Sequence, residues 1–232
     1  MENLSKTKKI IAIQQPEHFP WIGFFDKMTK SCQYVLLDNV QFKKRYFENR
    51  NKIRTTSGSD WICIPVKSKG KFEQLIQEVQ VDHSQLWQSK YLNKIYYNYK
   101  KTINFEKYFE KIEKIINEKK ELLVEYNLEL INFVKFILGI GTKLTLASEV
   151  VAYDEKIRGS DLILQIADKL HATIYFSGPA GRDYLKGDTF LAANIAIEYH
   201  NYTHPTYPQL HQPFISHLSS LDYVMNMESA NI

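Results

Sequence analysis

Apolar and polar positions follow two different periods along this chain, and the changes of period mark its elements. Lys8 to Ile13 is a short apolar run closed by Gln14, Gln15 and Pro16, the pattern of a buried first strand. Pro20 sits where the first turn of a helix begins, and Trp21, Phe24, Phe25 and Met28 recur on one face of a helix predicted from Trp21 to Lys30. Tyr34 to Leu37 is a second apolar run, ending at Asp38, and Trp61 to Val66 is a third, whose Pro65 marks a strand end or a sheet edge. From Ser84 to Leu138 the period lengthens. Ile, Leu, Phe and Tyr recur at steps of three and four without a proline, which predicts two to four helices. Lys143 to Ala147 and Thr173 to Phe176 return to strand pattern, separated by a helix over Asp161 to Leu170 that Ser160 is placed to cap. Ile195 to Tyr199 reads as a further strand, followed by a proline- and histidine-rich loop (His204 to Pro213) and a short helix starting near Ser219.

Strands alternating with helices predict an α/β fold with a mostly parallel, Rossmann-like central sheet. The whole chain, 1–232, is expected to form one α/β domain carrying 84–138 as a helical insertion or subdomain, since no repeat, low-complexity tract or linker interrupts it. In that architecture Phe24, Val35, Leu36, Ile62 and Ile174 belong to the core.

With 44% apolar and 24% charged residues the composition is that of a globular protein and excludes a disordered one. No apolar run approaches the roughly 20 residues that span a bilayer, so no membrane insertion is expected. Met1 to Lys9 is polar where a signal peptide has an apolar core, which makes the cytoplasm the expected compartment. Cys32 and Cys63 match neither a disulfide framework nor a Cys-x-x-Cys pair, and are expected as small buried hydrophobes. The net charge of +4 is unevenly spread: nine basic residues against two acids, Glu48 and Asp60, lie between Gln41 and Lys71. Such a block suits nucleic acid, a small phosphorylated ligand or a solvated loop.

Three turns carry chemical groups at predicted strand ends, where open parallel sheets bind ligands. The first, Gln14 to Trp21, offers the Gln15 amide, the His18 imidazole and the Trp21 ring at the entrance to a helix. The second, Asp38 to Phe42, places a carboxylate and Gln41 ahead of Arg45, Arg50 and Asn51; Asp38 there could act as a base, orient an amine or pair with an arginine. The third, Ser177 to Arg182, has Ser177, Gly178 and a second glycine, so that backbone N–H groups can approach a phosphate. His200, His204, His211 and His217 have no spacing of a recognisable metalloenzyme motif and are expected to serve structure or substrate contact. Neither Gly-x-Ser-x-Gly nor a P-loop occurs.

Together, Ile13 to Pro16, Phe19 to Met28, Leu37 to Phe42 and Arg50-Asn51 resemble the N-terminal signature of the WbqC-like family, with Gln14 where a histidine is expected and His18 where many members carry tyrosine. Tyr175 to Gly178, Tyr184-Leu185, Tyr207 to His211, Leu218-Ser219 and Asp222-Tyr223 resemble its C-terminal motifs in order. The resemblance implies a bacterial surface-polysaccharide (O-antigen) pathway and a nucleotide-linked sugar as ligand. The activity expected from that setting, the basic loop and the polar strand ends is transfer of an acyl or aminoacyl group to the amino group of the sugar. Asp38, His18 and His211 are the candidates for proton transfer. Gln15, Trp21, Gln41, Arg45, Arg50, Asn51, Ser177, Gly178, Tyr184, Tyr207 and Gln209 are the candidates for substrate binding, the arginines on the diphosphate. No cofactor or metal is expected. Gln15, Asp38, Arg50, Ser177, Tyr207 and Gln209 should then line one cleft. Two alternatives stand beside this scheme: a non-catalytic sugar-nucleotide-binding or scaffolding protein, and a ligase-like activity using ATP or a tRNA held by the basic block. The ATP alternative rests on a weaker likeness to nucleotide-binding enzymes with His-x-Gly-His after the first strand, where His18-Phe19-Pro20-Trp21 occupies the comparable place.

Overall fold

The structure is a computed structural model that describes residues 8–228; residues 1–7, most of the polar segment weighed above against a signal peptide, lie outside the described residues. In chain order the elements are β1 (Ile10–Gln14), α1 (Ile22–Thr29), β2 (Gln33–Leu36), β3 (Arg50–Thr55), β4 (Gly58–Cys63), α2 (Trp87–Tyr99), α3 (Phe105–Asn117), α4 (Leu123–Ile137), β5 (Lys143–Leu146), α5 (Ala147–Val150), α6 (Ser160–Lys169), β6 (Ile174–Ser177), α7 (Gly187–Ala192), β7 (Ala196–Tyr199) and α8 (Ser220–Asn226). None of these helices is long and apolar enough to cross a membrane. The chain divides into two compact units: one holds the described residues up to Gln14 with Asp26–Leu37 and Gly141–Tyr202, the other Gln15–Phe25, Asp38–Ile140 and the described residues from Thr203 on.

The first unit is built on a five-stranded sheet of order β5-β2-β1-β6-β7 in which every neighbouring pair is parallel. Counted within the sheet, the order is 3-2-1-4-5, the doubly wound arrangement of a Rossmann-like fold, and its switch point lies between β1 and β6. Parallel neighbours need crossovers; α1 follows β1, α6 lies between β5 and β6, and α7 between β6 and β7. The central strands read as continuous apolar runs because both faces are covered: Ile11, Ala12, Val35, Leu36 and Ile174 are buried. At the end of β1, the buried Lys27 donates to the Ile13 carbonyl at 3.0 Å and to Gln14 Oε1 at 3.3 Å, and the Tyr34 hydroxyl donates to the same Oε1 at 3.1 Å. Ser160 does not cap α6 as expected. It is the first helical residue, behind Gly159, and its Oγ accepts the Lys186 N–H at 3.0 Å.

The second unit holds the three helices of the 84–138 segment, α2 to α4, together with an antiparallel hairpin, β3 and β4, and the C-terminal α8. The hairpin places two sequence features. The basic block between Asp38 and Trp61 is not only a loop, because Arg50 to Thr55 pairs with Gly58 to Cys63, and the Trp61 run belongs to this ribbon and not to the parallel sheet. One face of the ribbon buries Asn51, Ile53 and Ile62, while Lys52 on the other is exposed. Gly58, at a φ of 126°, makes the turn possible. Phe24 and Ile62 are buried as expected, but Cys32 and Cys63 are exposed: Cys32 precedes β2, and Cys63 ends β4 on the outward face, opposite Arg50.

Candidate functional site

The loop from Gln15 to Trp21 is fixed from three directions within the second unit. His18 donates its backbone N–H to the Phe47 carbonyl at 2.9 Å, and the Asn51 amide donates to the carbonyls of His18 and Phe19 at 3.1 and 2.9 Å. Phe19 holds a left-handed φ of 41°, rare for an aromatic residue, and these bonds hold it there. From α4, the buried Asn127 donates to the carbonyls of Pro16 and Glu48 at 3.0 and 2.7 Å, so one side chain ties the two loops together. Both amide hydrogens of Asn127 are then used, and its Oδ1 accepts from His18 Nδ1 at 3.2 Å. This makes His18 the Nδ1–H tautomer and leaves Nε2 to accept the Tyr91 hydroxyl at 2.7 Å. Complete burial outweighs the Asn127 bond and lowers the His18 pKa to about 4, so the ring is neutral and fully engaged.

A second buried network gathers the C-terminal motifs. Asp222, in the first turn of α8, accepts the Tyr99 hydroxyl on Oδ1, and the Tyr207 hydroxyl and Gln209 amide on Oδ2, all at 2.8 Å. Burial raises its pKa, opposed by these three bonds and by the charge of Arg54. Arg54 is itself buried, with its guanidinium on the carbonyls of Thr55, Gly58 and Pro213 at 2.8, 2.6 and 2.9 Å. Gln209 also exchanges two bonds with the backbone of Ile215, both 2.9 Å, which closes the loop that follows Tyr207.

Between these networks lies an aromatic face. Trp21, expected on the buried side of α1, precedes its first turn and is half-buried, its ring parallel to His204 (centroids 6.2 Å, 9°) and 5.1 Å from His217. His204 donates from Nδ1 to the Pro205 carbonyl at 2.8 Å and accepts the His217 N–H on Nε2 at 3.1 Å, and partial burial lowers its pKa. Tyr207 packs 6.1 Å behind His204. Ser219 donates its N–H to the Lys52 carbonyl at 2.9 Å and Ser220 to the Pro20 carbonyl at 3.0 Å, so β3, the Trp21 loop and the start of α8 meet here. Gly23 leaves room for the indole at this face: a Cβ there would stand 2.2 Å from the Trp21 ring. Gly23→Ala should displace the indole, changing the near-ultraviolet circular dichroism, while folding stability shifts by less than about 1 kcal/mol, because a half-exposed ring can move aside and alanine favours the helix. An unchanged spectrum would show that Trp21 does not pack there.

The remaining candidates have surroundings of their own. In the second unit Asp38 is buried, two residues beyond β2, and its carbonyl accepts the Gln77 N–H at 2.9 Å. Gln41 is exposed and donates to the Phe72 carbonyl at 2.8 Å. Arg45 is exposed with a φ of 65°, and its carbonyl accepts from Arg50, whose guanidinium lies 4.0 Å over the Trp61 ring. Gln15 is half-buried and His211 half-exposed. Ser177, Gly178 and Tyr184 belong to the first unit. There the Ser177 hydroxyl is turned inward onto the Gly178 carbonyl at 3.0 Å, and the Gly181 N–H is spent on that carbonyl at the same distance. His200 lies in the first unit too, 2.5 Å from Asp26 Oδ2. A depression of about 630 Å³ in that unit, lined by Val151, Tyr153, Glu155 and Lys169 among others, includes none of the candidates. Among the described residues no three His, Cys, Asp or Glu side chains are grouped to hold a metal. Sequence reasoning gave Asp222, Arg54 and Lys27 no individual role and passed over Asn127, whose signal was a polar residue on an otherwise apolar helix face.

A Rossmann-like parallel sheet, with a second unit of hairpin and helices in which the Trp21 loop meets the segments around Tyr207 and Asp222, defines a mixed α/β protein. The chain belongs to the WbqC-like protein family, whose model matches residues 15–232. It is 30% identical over 221 residues to the uncharacterized protein Rv1507c of Mycobacterium tuberculosis (strain ATCC 25618 / H37Rv), covering 94% of both chains. No solved structure matches it.

Proposed function

We propose that this protein is an enzyme of bacterial surface-polysaccharide assembly that transfers an acyl or aminoacyl group to the amino group of a nucleotide-linked amino sugar. The observation that carries this reading is the packing of Trp21, from the N-terminal signature, against His204 and His217, backed by Tyr207 and Asp222 of the C-terminal motifs. A half-exposed ring flanked by two imidazoles suits stacking against a sugar or base, with neutral His204 as a polar neighbour. In the reaction the neutral amine attacks the acyl carbonyl, the bond to the donor's leaving group breaks, and Asp38 takes the proton the amine loses. His18 has a positioning role, since both of its ring nitrogens are engaged.

Those same saturated groups favour a second reading, non-catalytic binding of the sugar nucleotide, because His18, Asn127 and Asp222 are all committed to holding loops. The test incubates purified protein with a panel of amino-sugar nucleotides and acyl or aminoacyl donors, and follows products by mass spectrometry and ligand binding by tryptophan fluorescence. The acyl-transfer reading expects one acceptor to gain the acyl mass. Binding of a sugar nucleotide with no mass gain from any donor would establish the second reading, and neither signal would remove both.

A further inference from the structure

Apart from Arg50, which the acyl-transfer reading places on a diphosphate, that reading leaves unused the outer face of the hairpin and the loop that leads into it, where side chains form a continuous ladder of rings and cations. Lys43 Nζ lies 5.5 Å from the centre of the Tyr46 ring, Tyr46 contacts Phe47 at 5.2 Å, and Phe47 contacts Trp61 at 5.8 Å. Arg50 covers Trp61 at 4.0 Å and Lys52 lies 5.3 Å from it. The register explains the last two contacts. Lys52 and Trp61 are direct cross-strand partners, so they share a face, and Arg50 is two residues from Lys52 on that same face. Arg54 would continue the row, but its guanidinium is buried on three carbonyls, so the row ends there.

The two acids of this basic block lie off this row, Glu48 in the interior and Asp60 on the opposite face of the ribbon. Glu48 is fully buried, and desolvation raises its pKa against the pull of nearby N–H groups and Lys43. Asp60 is paired with Lys94 from α2 at 2.6 Å. Lys43, Lys44, Arg45 and Lys52 are exposed, and Tyr46 is 47% exposed. A diphosphate, to which the sequence assigns Arg45 and Arg50, needs two or three cations and no row of rings. Cations interleaved with aromatic faces fit a ligand that repeats phosphate and base.

We infer that this face of the hairpin, with the loop that leads into it, binds single-stranded nucleic acid, with backbone phosphates on Lys43, Arg50 and Lys52 and bases stacked along Tyr46, Phe47 and Trp61. The interaction does not depend on acyl transfer, so it can stand if that reaction is absent.

The test uses the full chain and fluorescein-labelled twelve-nucleotide RNA and DNA of one mixed sequence, followed by anisotropy. Saturable binding is expected, with log K falling against log salt at a slope of about −2 to −3.5 for three to five phosphate contacts. The RNA and DNA arms tell which nucleic acid is preferred. Trp61→Ala should weaken binding about tenfold to a hundredfold. Since Trp61 is half-buried and its loss can disturb the hairpin, the double variant Lys43→Ala with Lys52→Ala provides the second measurement: an unchanged melting temperature and a salt slope shallower by about 1.4. Three results would overturn the inference: no binding to either strand; equal binding to inorganic polyphosphate with no effect of Trp61→Ala; or binding to vesicles containing phosphatidylglycerol without binding to the oligonucleotides. Oligonucleotide binding without any acyl transfer would remove the proposed reaction and leave this inference standing.

Discussion

Asn127→Leu should lower folding stability by about 3 kcal/mol or more, measured by urea unfolding. The substitution fills the space but strips three buried groups of their partners: the carbonyls of Pro16 and Glu48 and the Nδ1–H of His18. Each orphaned group costs about 1–3 kcal/mol, because burial denies it water. A companion effect follows from His18. Its folded pKa of about 4 lies below the unfolded value near 6.5, so between those values the unfolded chain binds the proton more readily. The stability is therefore complete above about pH 6.5 and falls as pH drops toward 4, by up to roughly 3 kcal/mol. His18→Phe removes this titration, so its stability should change less with pH across that window. An Asn127→Leu variant as stable as the parent would mean that the two loops are held by something other than this amide.

The parallel strands were legible because a strand covered on both faces needs side chains such as Ile11, Ala12, Ile13, Val35 and Leu36 in unbroken succession. The hairpin was hidden for the opposite reason. Its period of two is carried by Arg50, Lys52 and Arg54 on one face against Asn51, Ile53 and Thr55 on the other, and charge on a strand reads as loop. The helical segment was visible as a run of period 3.6, yet the residue in it that matters most to the Trp21 loop, Asn127, looks like a polar interruption among Leu123, Tyr126, Leu130 and Ile131. Its meaning depends on Pro16 and Glu48, which are distant in sequence. The division into two units has no boundary along the chain, because each unit is assembled from three separated segments. Of the candidate residues, those with long-range partners, such as His18, Asn51, Tyr207 and Gln209, acquire definite surroundings only when those partners are placed.

Asp38→Asn should reduce acyl transfer by about 10²–10⁴-fold with little change in sugar-nucleotide affinity. Asparagine keeps the size of Asp38 and its capacity to hydrogen-bond, and the backbone bond from Gln77 to the Asp38 carbonyl is untouched. What it removes is a carboxylate able to accept the proton that the attacking amine releases, a need that arises only as the new bond forms, so the loss falls on kcat. Trp21→Ala should behave in the opposite way. On the proposed reading its ring contacts the bound sugar or base in the ground state and the transition state alike, so KM should rise while kcat at saturation stays close to the parent value. Measuring kcat and KM for both variants, beside their unfolding midpoints, separates the roles. If Asp38→Asn unfolds more easily but turns over normally, the buried carboxylate is a structural group of the loop after β2 and another residue must take the proton.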